Sequence, residues 1–174
     1  MTLTLWQRLD KTGRNLAPFA VTVMLALAGM VPIPLPGYAS VAPFLTAVAV
    51  YYWAIHRPDL MGPGTAFLIG LLQDLLTGGP LGVNALVLVL VHWAVSSQRR
   101  VLASSTFALM WFGFGLVMMG VACIQWLAFS VLQATVLPFR PALFQALLTM
   151  AFFPAIAWTL IRVHRAFLRD DGQG

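Results

Sequence analysis

The sequence carries little that could do chemistry. It has no glutamate, five aspartates, three histidines and a single cysteine. Asp10, Asp170 and Asp171 sit near the ends and Asp59 in the polar stretch HRPD, so Asp74 alone interrupts an apolar run, LLQDLLTGGPLGVNAL from Leu71 to Leu86. A zinc protease needs paired histidines with a carboxylate, and that pattern does not occur. A serine nucleophile needs a histidine base within hydrogen-bond reach. His92 and Ser96, one helical turn apart, are the sole pairing of that kind, and a face shared by chance is the simpler reading. A proton relay uses several acids or paired charges inside the membrane, and one aspartate does not make one. Cys123 rules out an internal disulfide and any cysteine metal cluster, and in an apolar run it reads as an inert buried thiol. No catalytic, cofactor-binding or metal-binding residue is expected.

The elements that position these residues follow from composition. Of 174 residues, 60% are hydrophobic and 9% charged, with a mean hydropathy of +0.88. Soluble domains are roughly a quarter charged, and a soluble fold of this size could not bury so much apolar surface. The chain is therefore expected to be one integral membrane domain spanning residues 1–174, with a basic N-terminus (1–15) and a basic tail (162–174). The +5 charge does not point to nucleic acid, because the basic residues sit at the ends of apolar runs rather than in a patch.

Apolar runs predict six helices: Leu16–Leu35, Val41–Ile55, Gly64–Leu76, Val83–Val95, Phe107–Leu132 and Ala142–Ile161. A span needs about 20 residues, so the third and fourth are short, and the two together would also read as one re-entrant hairpin. With six spans, Arg8, Lys11, Arg14, Arg57, Arg99, Arg100, Arg162, Arg165 and Arg169 share one side and only Arg140 takes the other. Lys and Arg concentrate in cytoplasmic loops, so both termini are expected to be cytoplasmic; four spans would preserve that parity. Gly-Tyr-Ala before Ser40 also resembles a signal-peptidase site, but the first run is long enough to span and ends among prolines, which favours an uncleaved helix. Trp6, Trp53, Trp93 and Trp158 fall near the expected cytoplasmic ends, where an indole N–H reaches the headgroups. No internal repeat suggests inverted halves.

Asp74 then falls one turn before Thr77-Gly78-Gly79, near the outer boundary. A carboxylate at a helix C-terminus meets the negative end of the dipole, so something must offset it. The free amides of Gly82, Val83 and Asn84 at the start of the fourth helix are candidates, as is the Asn84 side-chain amide. Asp74 therefore either ties the turn or serves binding or transport. Gly70, Asp74 and Gly78, four residues apart, form one stripe, and Gly113, Gly115 and Gly120 do the same on the fifth helix. Such stripes admit close helix packing, within the chain or with a partner's helix. Gln125, Gln133 and Gln145 read as interhelical hydrogen-bonding or interface residues.

The run GLLQDLLTGGPLGVNAL, with Gly70, Asp74, Leu75, Gly78, Leu81, Gly82, Ala85 and Leu86, and the preceding RPDLMGPGTAF resemble the MreD family of rod shape-determining proteins. The resemblance implies a non-enzymatic protein of the bacterial inner membrane. It would act in lateral cell-wall elongation beside the bitopic MreC, the actin-like MreB, RodA and a penicillin-binding protein, with membrane lipid around it. It also implies an all-α core similar to the substrate-binding subunits of energy-coupling-factor transporters. Gly70, Asp74, Gly78, Gly82 and Asn84 carry over as a structural helix-turn-helix motif. The contrasting expectation is a solute-binding transporter subunit, with Asp74, Asn84 and Gln133 converging on an outer cavity.

Overall fold

The computed structural model describes residues 5–31 and 41–167, with side chains over 17–31 and 41–165. Six helices follow one another: α1 (Leu5–Ala28), α2 (Leu45–His56), α3 (Pro63–Thr77), α4 (Val83–Ala103), α5 (Phe107–Leu132) and α6 (Arg140–Phe167). Among the described residues there is no strand. Three helices are long and apolar enough to cross a membrane: α4, α5 and α6 over Arg140–Arg165. The Ala17–Ala28 part of α1 and all of α2 are apolar but shorter.

The organising element is α2. Its sequence, LTAVAVYYWAIH, offers no polar face, and a helix apolar all round belongs in an interior. Every residue from Leu45 to Ile55 is buried, against α1, α4 and α6. Near its middle, Tyr51 meets Phe114 and Phe153 edge-on, with ring centroids 5.1 and 5.9 Å away, and Phe114 stacks on Phe153 at 4.6 Å. Lipid tails are as apolar as these side chains, so shape and dispersion rather than water exclusion hold such a centre. Each ring pair adds about 0.5–1.5 kcal/mol. The Tyr51 hydroxyl donates to the Met110 carbonyl at 3.0 Å.

Around α2, α3 and α4 form a hairpin, α4 packs on α5, and α5 packs on α6. Pro154 lies inside α6 and has no N–H to give the Met150 carbonyl one turn back. The Trp111 indole N–H fills that place at 3.0 Å. Backbone irregularity at membrane depth is tolerated where neighbouring helices re-satisfy the freed groups.

Several expectations are corrected. The helices reach beyond their apolar cores: α4 runs through Ser96–Arg100 to Ala103 instead of stopping at Val95, and α6 runs from Arg140 to Phe167. Charges end the apolar segment, not the helix, and Arg100 in the last turn of α4 suits the dipole. α1 starts at Leu5 and ends at Ala28, well short of Leu35, at a turn on Gly29 and Met30 that precedes Pro32. α2 starts at Leu45 rather than Val41, because Pro43 pushes the preceding residue out of helical conformation. Trp53 is wholly buried instead of reaching headgroups, since α2 has no lipid-facing side. Cys123 is exposed, not buried, because the apolar run of α5 has an outward face. The Ser40 site, the side chains of Trp6, Arg8, Asp10, Lys11 and Arg14, and Arg169, Asp170 and Asp171 lie outside the described residues.

Candidate functional site

The α3–α4 turn is built from two glycines and a carboxylate. α3 ends at Gly78 with φ 65° and α4 opens at Gly82 with φ 97°, both left-handed conformations in which a side chain is strained. Between them the chain reverses over Gly79, Pro80 and Leu81. Gly70, two turns before Gly78, lets the helices meet backbone to backbone: an added Cβ would lie 2.4 Å from the Ala85 Cα and 2.7 Å from the Asn84 carbonyl oxygen.

That close approach carries Asp74, 1% exposed, onto the open end of α4. Its Oδ2 accepts the Gly82 N–H at 2.8 Å and the Ala85 N–H at 3.4 Å, and its Oδ1 accepts the Asn84 N–H at 3.0 Å. The Val83 N–H turns to the Pro80 carbonyl at 3.5 Å, so Ala85 stands where Val83 was expected. A helix N-terminus presents orphan amides and a partial positive charge. One carboxylate from the neighbouring helix answers both.

Asn84 meets Asp74 through its backbone N–H, and its side chain bonds to α5. Its Oδ1 accepts from Gln125 Nε2 of α5 at 3.1 Å. Gln125 in turn lines a cavity of about 330 Å³ with Val41, Trp126, Phe129, Pro141 and Gln145. Across that cavity α6 supports the start of α2. Gln145 Nε2 donates to the Ala42 carbonyl at 3.1 Å, and Thr149 Oγ1 accepts the Phe44 N–H at 2.9 Å. Thr149 gives its own proton to the Gln145 carbonyl. Trp126 Nε1 closes the α5–α6 connection on the Leu137 carbonyl at 2.7 Å. Gln133 is exposed at the end of α5 and does not join Asp74 and Asn84. Gln145 does hydrogen-bond to another segment, as its place in an apolar helix suggested, whereas Thr149 carried no expectation; the partners of both lie more than 100 residues away, and no local pattern announces them.

At the opposite end of the bundle, His56 stacks on Tyr52 and His164 on Trp53, with the two imidazoles 6.1 Å apart. Arg57, Arg99, Arg100, Arg162 and Arg165 belong to the helix ends gathered there, and Arg140 starts α6 at the other end. Arg57 holds Asp59 with N–O distances of 3.1–3.3 Å, and this bond lowers the Asp59 pKa below the usual carboxylate range. Ser96 Oγ stands 3.4 Å from His92 Nε2, too long for an activating O–H···N bond. Among the described residues no group of histidine, cysteine and carboxylates is placed to hold a metal. Of the α5 glycines, Gly113 faces Tyr51 and Leu102, Gly115 faces Met150, and Gly120 opens outward with nothing near it.

The rod shape-determining protein MreD family matches residues 10–163. Rod shape-determining protein MreD of Haemophilus influenzae is 32% identical over 113 residues, 65% of this chain and 65% of that protein. The match thus spans a little under two thirds of that relative's length. No solved structure matches the chain. With the family covering nearly all of the helical bundle and the Asp74 turn at its centre, the chain belongs to the MreD family of rod shape-determining proteins.

Proposed function

We propose that this chain is a non-enzymatic, multi-pass scaffold of the cell-elongation machinery in the bacterial inner membrane, with both termini cytoplasmic. It would hold the transmembrane helix of MreC and work in one complex with MreB, RodA and a penicillin-binding protein. The observation that carries this reading is the use of Asp74. Both carboxylate oxygens are occupied by backbone amides at 2.8–3.4 Å, so the one acid within an apolar helix acts on the fold. Membership of a rod-shape family supports the biological setting. The open surface at Gly120, flanked by exposed Leu116, Cys123 and Leu127, is suited to close approach of a partner helix.

The test is co-purification with MreC from detergent, paired with cell shape. Gly120→Leu builds outward from a position where an added Cβ meets nothing within 4 Å, so it should weaken MreC retention and rod shape while the chain stays folded. Full retention of MreC by this and neighbouring α5-face variants would overturn α5 as the docking face. Rod-shaped growth without the chain would overturn the function. A reporter fused after Gly174 should be cytoplasmic.

One observation favours a second reading, a solute-binding subunit. The cavity of about 330 Å³ presents Gln125 and Gln145 within apolar walls, the composition of a small-molecule site. A solute that stabilises the chain saturably, and fails to stabilise Gln125→Leu, would support it.

A further inference from the structure

Near its C-terminal end α6 presents a groove of about 600 Å³ formed by Trp158, Ile161, Arg162 and Arg165. The spacing puts Trp158 and Arg162 one turn apart, with Ile161 and Arg165 on the same side. Trp158 is 58% exposed, and the Arg162 guanidinium lies over its ring, 4.1 Å from the centroid. Helical side chains lean toward the N-terminus, which brings Arg162 over the residue one turn back. Arg162 therefore lies along α6 over the Trp158 ring instead of extending away from the helix. Cation–π stacking occupies the face of the guanidinium and leaves its edge N–H donors free for an oxyanion. Among the described residues, the carboxylate in a salt bridge, Asp59, is taken by Arg57, and neither Arg162 nor Arg165 is paired with an acid there. The groove therefore combines two cationic donors at its rim with an indole and an isoleucine along its wall.

We propose that this groove is a specific site for an anionic membrane phospholipid. The headgroup phosphodiester would bridge the Arg162 and Arg165 guanidiniums, and an acyl chain would lie along Trp158 and Ile161. Charge complementarity selects the phosphate, and the apolar wall selects a lipid over a free anion. Basic pockets at the ends of membrane helices are suited to such headgroups.

The full chain in nanodiscs provides the test, with tryptophan quenching by lipids brominated on their acyl chains. The Trp158 contribution is the difference between wild type and Trp158→Phe, a change at an exposed position. Brominated phosphatidylglycerol should quench that contribution at roughly thirtyfold lower mole fraction than brominated phosphatidylcholine, as two basic contacts at a membrane surface imply. Arg162→Gln/Arg165→Gln should remove the preference, and Arg99→Gln/Arg100→Gln should leave it intact. Equal quenching by the two lipids in the wild type would overturn the proposal whether or not the variants fold. So would equal loss in the Arg99 and Arg100 variant, which would mark a general charge effect. Loss of the preference in millimolar inorganic phosphate would assign the site to a free anion instead.

Discussion

Gly70 sets its bare Cα against the backbone of Ala85, so closely that a single added carbon would come within 2.4 Å of the Ala85 Cα. Backbone cannot rotate aside as a flexible side chain can. Gly70→Ala should therefore force α3 and α4 apart and destabilise the chain by about 1–3 kcal/mol or more, read as a lower melting temperature in detergent. Gly64→Ala, also on α3 but with nothing within 4 Å, should be neutral or raise stability by up to about 1 kcal/mol. Equal effects of the two would mean that the helix contact does not govern α3.

Asp74→Ala orphans the amides of Gly82, Asn84 and Ala85 in one step. Each buried unsatisfied donor costs about 1–3 kcal/mol, so steady-state level and melting temperature should both fall sharply. Asp74→Asn keeps one acceptor oxygen and should lose less. A chain that tolerates Asp74→Ala at full stability would show that the turn is held by its glycines alone.

Gly82→Ala should cost more than Gly79→Ala. Gly82 sits at φ 97°, where an L-residue pays about 1–2 kcal/mol, while Gly79 has no positive φ and only Thr77 Oγ1 nearby. Thermal unfolding of the two variants side by side checks the order.

Trp111 and Pro154 should be energetically coupled through the Met150 carbonyl. Trp111→Phe removes the indole donor and should cost about 0.5–1.5 kcal/mol. Pro154→Ala restores an amide four residues after Met150, so in that background Trp111→Phe should cost less. A double-mutant cycle measures the difference, and strict additivity would refute the coupling.

Asp59 supplies the pH dependence. Its folded pKa lies below the ordinary carboxylate value of 3.8, chiefly through the Arg57 hydrogen bond. Its contribution is therefore complete above pH 3.8 and fades as pH falls through the lower folded value. The Asp59 side chain is 59% exposed, so the pair is worth at most about 1 kcal/mol. Arg57→Gln should barely move the melting temperature at neutral pH and should return the Asp59 titration, followed by NMR, to the ordinary range.

The sequence is unevenly informative about this structure, for physical reasons. Asp74 and the amides it meets lie within eleven residues of one another, so a lone carboxylate beside a glycine turn made their proximity legible. The burial of α2 was not legible, because LTAVAVYYWAIH satisfies protein and lipid surroundings equally well, and Trp53 and Cys123 were misjudged for the same reason. The ends of α4 and α6 were missed because hydropathy marks where a helix leaves the membrane, not where its hydrogen bonds stop. Gln145 and Thr149 were recognisable as polar residues in an apolar helix, but their partners Ala42 and Phe44 are set by tertiary packing.

That last arrangement bears on how the protein is made. Ribosomes deliver α2 long before α6, yet the amide of Phe44 and the carbonyl of Ala42 find their acceptor and donor only on α6. Until α6 is inserted, the start of α2 has polar backbone with nowhere to bond. The start of α2 is thus unfinished until α6 arrives. A premature stop before Gln145 should leave an early product that quality-control proteases recognise, even though α1 to α5 have already been synthesised.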